Sequence, residues 1–199
     1  MVGPSKIKIT VVGAGYVGMS LSVLLAQHND VTVLDINEDK VDEINDGQST
    51  VVDAEIELFL AEKSLSLVAT TNSEAAFKGA SFIVIATPTN YDLDTGRFDT
   101  GSVDAVVADA LQFNPDALVV IKSTVPVGHT KSLQQKFLTD RVIFSPEFLR
   151  EGQALKDNLY PSRIIIGSQS KAGIEFAALL ERAAEKLDVK ALFVGSSEA

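Results

Sequence analysis

The chain has 199 residues, 46% of them hydrophobic, a formal net charge of -10 and no cysteine. That length and apolar content suffice for one domain with a substantial core; the acidic balance disfavours nucleic acid as a partner, and without cysteine there is no disulfide, thiolate metal site or thiol catalysis within the chain. The two histidines, His28 and His129, are too isolated for a histidine-based metal site, no apolar run reaches the roughly 18 residues of a membrane span, and the opening Met1-Val2-Gly3-Pro4-Ser5-Lys6 does not fit a signal peptide, so the expectation is a soluble cytoplasmic domain.

Residues 7–12 are the first predicted strand and 17–27 carry helical periodicity. A second strand spans 31–34. Asn37 is placed to cap a helix over 38–46 that Gly47 ends, and Asp53 to cap another over 54–63. Strands follow at 65–69 and 82–86. Ser102 opens a helix to about Phe113, and 118–121 is a fifth strand. Residues 130–138 are predicted helical, 142–144 and 164–166 extended, 171–187 a long helix and 191–194 a last strand. Most of these strands are continuous apolar runs, the pattern of strands buried on both faces. Their alternation with helices predicts a doubly wound, Rossmann-like parallel α/β sheet of about eight strands, the first six forming a dinucleotide-binding core. Residues 195–199 read as the start of a capped helix that does not continue, so residues 1–199 are expected to be one domain of a longer protein.

Gly13-Ala14-Gly15-Tyr16-Val17-Gly18 follows the first strand and opens a helix. In that strand–turn–helix setting the three glycines have separate jobs. Gly13 permits the tight turn, Gly15 lets backbone approach a pyrophosphate, and Gly18 lets the helix pack close to the strand. The helix N-terminus offers N–H groups and the positive end of its dipole to phosphate. Asp35 ends the second strand, where a carboxylate can accept from both ribose hydroxyls and repel a 2′-phosphate, which favours NAD over NADP. Asp35 also reads as a helix-entry aspartate. Two readings stay open for Lys40, a ribose contact and a surface ion pair.

Three more segments end strands at the carboxyl edge, where open α/β sheets bind ligands: Ala86-Thr87-Pro88-Thr89, residues 122–128 (Lys122-Ser123-Thr124-Val125-Pro126-Val127-Gly128) and residues 145–152. Any one of them is ordinary turn chemistry; three at successive strand ends suggest a polar site held by rigid turns. Together with the glycine loop, Asp35, Asn90-Tyr91-Asp92 and Pro161-Ser162-Arg163-Ile164-Ile165-Ile166-Gly167, they give the chain a resemblance to the UDP-glucose/GDP-mannose dehydrogenase family along essentially its whole length. The wording around Tyr91 and Phe148-Leu149-Arg150-Glu151 is similar to bacterial UDP-glucose 6-dehydrogenases in particular.

The resemblance implies an enzyme that oxidises a sugar C6 alcohol to a carboxylate with two NAD, through a cysteine thioester. It implies NAD contacts from Gly13, Gly15, Tyr16, Val17, Gly18, Asp35, Lys40 and Thr89, with Thr124 and Glu151 near the nicotinamide. Thr124 would orient the catalytic water and Glu147 act as base for thioester hydrolysis. Glu147, Phe148, Leu149, Arg150 and Glu151 would line the nucleotide-sugar site. On their own terms, a hydrolytic water needs a proton acceptor, and a half-buried carboxylate at a strand end can be tuned for it. Glu147 also reads as a helix-entry acid, and Arg150 and Arg163 as members of ion pairs. The family's cysteine, lysine and asparagine lie downstream, on a glycine-rich motif and a central helix, so this chain alone is expected to bind NAD without turnover. The family dimerises through that helix, so a homodimeric parent and a monomeric domain are expected. GDP-mannose or UDP-N-acetylmannosamine as substrate, a non-catalytic NAD-binding module and a β-hydroxyacid dehydrogenase remain as alternatives.

Overall fold

A computed structural model describes residues 6–92, 96–196 and 198–199. The expectations placed on residues 1–5, and on Ser197 within the terminal segment, lie outside the described residues. Six strands form one parallel sheet: β1 (Lys8–Val12), β2 (Asp30–Leu34), β3 (Leu67–Thr70), β4 (Phe82–Ile85), β7 (Leu118–Ile121) and β8 (Val142–Phe144). Their spatial order, β3-β2-β1-β4-β7-β8, reverses direction at β1, and that is where a doubly wound sheet opens a crevice. Val12 faces Leu34 on one side and Ile85 on the other, and Ile85, Ile121 and Phe144 continue the same row. The carboxyl ends of five strands are therefore level, and the loops leaving them share one edge.

The sheet has six strands rather than about eight. The last two predicted strands, β9 (Ile164–Ile166) and β10 (Ala191–Phe193), pair with each other in a separate parallel ladder. β9 touches β8 through Gly167 N–H donating to Phe144 O at 2.8 Å and Ser145 Oγ donating to Ile165 O at 2.8 Å. Pro146 follows and has no N–H with which to extend a ladder. A hairpin of β5 (Tyr91–Asp92) and β6 (Arg97–Phe98) was not foreseen.

Helix α1 (Tyr16–Ala26) runs from the glycine loop, and residues 18–26 are all buried. It is apolar nearly all round because α3 (Ala54–Glu62), α7 (Ala154–Leu159) and α8 (Lys171–Ala183) enclose it against the sheet. The opposite face of the sheet packs against α4 (Ser73–Phe77), α5 (Gly101–Phe113) and α6 (His129–Phe137), with Phe77, Val103, Val107 and Leu133 in its core. The remaining helix, α2 (Glu38–Asn45), is capped by Asn37, whose side chain accepts from the Asp39 and Lys40 N–H groups. α8 ends at Ala183, before the predicted 187, since Leu159 O accepts from both Glu185 and Lys186 N–H and draws the chain onto the end of α7.

Asp53 ties two of these helices. Its side chain is 1% exposed. Oδ1 accepts from Glu55 and Ile56 N–H at the start of α3, and Oδ2 from Ala154 and Leu155 N–H at the start of α7. One carboxylate thus caps two helix N-termini, both of which favour negative charge. Among the described residues no helix is long and apolar enough to cross a membrane.

Candidate functional site

The glycine loop owes its shape to close backbone packing. Gly13 has φ +103°, and a Cβ there would stand 2.6 Å from Ala86 O at the end of β4. Gly18 is buried, and a Cβ there would stand 1.7 Å from Gly13 O. Gly18 therefore acts on the site through packing, by letting α1 lie on the turn. Gly15, the N-cap of α1, meets nothing within 4 Å. Its missing side chain leaves open space in front of the first turn, where Tyr16 and Val17 are half-buried. No side chain caps α1 and its first turn holds no acid, so its positive end is left for an anion.

Asp35 is pinned across this turn. Its Oδ2 accepts from Ala14 N–H at 2.7 Å and its Oδ1 from Asn37 N–H at 3.0 Å. Each oxygen keeps a further lone pair for a hydroxyl donor. Ala14 O accepts from Thr50 Oγ at 2.8 Å and from Lys40 Nζ at 3.4 Å, which holds the lysine beside the loop. A cleft of about 650 Å³ opens here, lined by Gly13, Asp35, Ile36, Lys40, Thr87 and Val106 among others. Its size suits a nucleoside-bearing ligand. Ile36 is 97% exposed in it, an apolar surface against which a flat ring can lie. The donor set, the open space at Gly15 and the cleft fit a dinucleotide with a free adenosine 2′-hydroxyl.

Farther along the edge, Ser123 Oγ donates to Thr87 O at 2.6 Å, and Ser102 Oγ donates to Pro88 O at 3.0 Å. The first bond ties the loop after β7 to the loop after β4 and the second ties that loop to α5, with Thr89 half-buried and Thr124 exposed at the rim. Beyond them the loop after β8 carries Glu147. Burial pushes its carboxyl above the usual range, against the opposing pull of Lys122 and of the Leu149 N–H. Its Oε2 is buried and has no hydrogen-bond partner among the described residues. Lys122 is itself buried, and desolvation lowers its ammonium to about 8 even though Glu147 pulls the other way. Phe148 is 44% exposed, with the Arg163 guanidinium 4.3 Å from its ring centre, and Leu149 is half-buried.

Arg150 and Glu151 are exposed. The Arg150 guanidinium forks onto Asp157, with Nε to Oδ2 at 3.0 Å and Nη2 to Oδ1 at 2.7 Å, and its backbone N–H donates to Oδ2 at 2.9 Å. This pairing holds Asp157 below the ordinary carboxylate range, through the Arg150 side-chain hydrogen bond first. Arg150 therefore anchors its loop to α7.

The structure brings Gly13, Asp35 and Lys40 together at one cleft and sets Glu147, Phe148 and Leu149 around a second, smaller cavity, with Thr124 on the same sheet edge. Sequence reasoning did not single out the buried Lys122, the exposed Ile36 or the second helix held by Asp53. A lysine directly after a fully apolar strand was a readable signal for Lys122, and an isoleucine directly after Asp35 for Ile36. The second cap on Asp53 joins residues a hundred positions apart and has no local signature.

A model of the NAD binding domain of the UDP-glucose/GDP-mannose dehydrogenase family matches residues 7–185. A UDP-glucose 6-dehydrogenase from Streptococcus pneumoniae is 48% identical over 198 residues, covering 96% of this chain and 50% of that protein. One from Campylobacter jejuni is 45% identical over 194 residues, covering 96% and 49%. The solved structure of a UDP-glucose dehydrogenase from the archaeon Pyrobaculum islandicum superposes with a TM-score of 0.84 at 27% identity, over 100% of this chain and 48% of that one. The chain thus spans about half the length of the curated relatives it matches.

Proposed function

The chain belongs to the UDP-glucose/GDP-mannose dehydrogenase family as its NAD-binding domain, and from that premise we propose that it is the N-terminal half of an enzyme oxidising the C6 alcohol of UDP-glucose to the carboxylate. The observation that carries the cofactor half of this reading is the Asp35 carboxylate pinned beside the open space at Gly15. Gly13, Gly15 and the start of α1 would hold the pyrophosphate, Asp35 and Lys40 the adenosine ribose, Ile36 the adenine, and Thr89 and Thr124 the neighbourhood of the nicotinamide. NAD bound there supplies a hydride acceptor for the sugar carbon.

The chain's own residues serve the hydrolytic half of the reaction. Thr124 can hydrogen-bond a water without titrating. Glu147 has a free buried oxygen with which to take that water's proton, and its raised affinity for a proton suits a base. Phe148, Leu149 and Glu151 would line the sugar-nucleotide side, with Arg150 bracing their loop. The thiol that carries the acyl group lies outside this chain, which has no cysteine, so the domain alone binds and positions without turning over. The full-length enzyme is expected to be a homodimer, read by light scattering.

Calorimetric titration of the 199-residue protein with NAD, and with NADP as control, tests the cofactor assignment. NAD should bind, and NADP at least about tenfold more weakly, about 1.4 kcal/mol. Equal affinity for the two would overturn the role of Asp35, and no binding of either would overturn the cofactor site in this half. Competition between UDP-glucose, GDP-mannose and UDP-N-acetylmannosamine on the full-length protein tests the sugar.

A further inference from the structure

Lys122 follows β7, a strand buried on both faces, so its side chain is confined beneath the loop that leaves β8. It is 7% exposed. Its Nζ donates to Pro146 O at 3.1 Å and to Ser145 Oγ at 3.4 Å, the two residues that immediately precede Glu147. Ser145 is free to accept because its own hydroxyl hydrogen goes to Ile165 O. Lys122 and Glu147 both line a small cavity of about 40 Å³, together with Asp157 and Arg163. Of the other charges, Asp157 on α7 is paired with Arg150, and Arg163, ahead of β9, lies over the Phe148 ring. Lys122 faces Glu147 from the β7 side.

A carboxylate that must accept a proton has two conflicting needs when half-buried. It needs a nearby cation, because burial disfavours the charge. It also needs an unoccupied lone pair, which a direct ion pair would fill. The arrangement here meets both: the ammonium donates to the backbone and hydroxyl beside the carboxylate, and Oε2 keeps no partner.

We propose that Lys122 is the positioning residue of this site: its buried ammonium, held by Pro146 and Ser145 rather than by Glu147 itself, keeps Glu147 in the carboxylate form while leaving a lone pair open for a proton. The two groups accordingly titrate as a coupled pair, each pulling the other toward its charged form. The coupling stands on this chain's geometry; its meaning for catalysis rests on the proposed role of Glu147.

The test is an NMR titration of the 199-residue protein, following glutamate side-chain carboxyl and lysine side-chain resonances, with Glu147→Gln and Lys122→Met assigning the signals. Removing the lysine should raise the Glu147 midpoint by about one pH unit or more, and Lys122→Arg should restore it. Because coupling is reciprocal, Glu147→Gln should lower the Lys122 midpoint from about 8 by a similar amount. A Glu147 midpoint unmoved in Lys122→Met, or a Lys122 midpoint unmoved in Glu147→Gln, overturns the proposal. Should Lys122→Met not fold, the Lys122 midpoint in Glu147→Gln decides alone. A lysine that merely filled space would change stability and leave both midpoints in place. NAD binding is read separately, so its failure leaves this coupling standing.

Discussion

Two glycines three residues apart should fail in opposite ways when replaced by alanine. At Gly18 the new Cβ would stand 1.7 Å from Gly13 O, where real Cβ atoms keep at least about 3.0 Å. The obstacle is backbone, so α1 has to withdraw from the turn by the difference, about 1.3 Å. Residues 18–26 of that helix are buried, so the whole element resists the move. Overpacking of this kind costs about 1–3 kcal/mol and sometimes more, while alanine returns about 1 kcal/mol of helix propensity. The shift is large for a close-packed interior, so the upper end applies, and the net loss should be about 2 kcal/mol. At Gly15 the Cβ meets nothing within 4 Å, and its backbone (φ -92°, ψ -172°) is one that alanine adopts freely. The only structural cost is a poorer N-cap, about 1 kcal/mol or less. That Cβ would instead occupy the space in front of the helix N-terminus, so NAD affinity should fall at least tenfold, about 1.4 kcal/mol. Urea unfolding at constant slope and calorimetry read the two effects independently. If Gly15→Ala binds NAD as the parent does, the cofactor does not approach the backbone there. If Gly18→Ala is as stable as the parent, the packing argument is wrong.

Asp53→Ala should cost about 2–3 kcal/mol, about 1 from the α3 cap and about 1–2 from the buried N–H groups of Ala154 and Leu155 left unpaired at α7; a shift in the urea midpoint worth less than about 1 kcal/mol would refute the double cap. Burial of Lys122 makes stability depend on pH in a defined window. Its folded value is about 8 against 10.5 unfolded, so the unfolded chain holds the proton more tightly. The cost of burying the charge is therefore fully present below pH 8 and is relieved as pH rises toward 10.5. Relative to Lys122→Met, the parent should gain about 3 kcal/mol across that window. Unfolding curves of the two proteins that keep a constant separation from pH 8 to 10.5 would refute this.

Much of the fold was legible because its signals are local. Continuous apolar runs mark strands covered on both faces, and Asn37 and Asp53 mark helix starts within three residues of themselves. The glycine spacing specifies its own turn: Gly13 takes the positive φ of that turn and Gly18 lets α1 lie on it. What was missed depends on groups distant in sequence. The central sheet stops at six strands where Ser145 meets β9 through its side chain and Pro146 lacks an N–H to continue the ladder, a contact between loop and strand that hydrophobic periodicity does not record. α8 ends early because the distant Leu159 O takes the N–H groups that follow it.

The candidate site divides in the same way. By itself the sequence determined the placement of the proposed cofactor half, Gly13, Gly15, Gly18 and Asp35, because a strand, a turn and a helix in succession carry those positions to one place by their own geometry. Only the tertiary structure decided the other half. Burial of the Lys122 charge and its reach to the residues just before Glu147 arise where β7 and β8 lie side by side. The charge state of each group then follows from its low-dielectric surroundings, which no stretch of sequence contains.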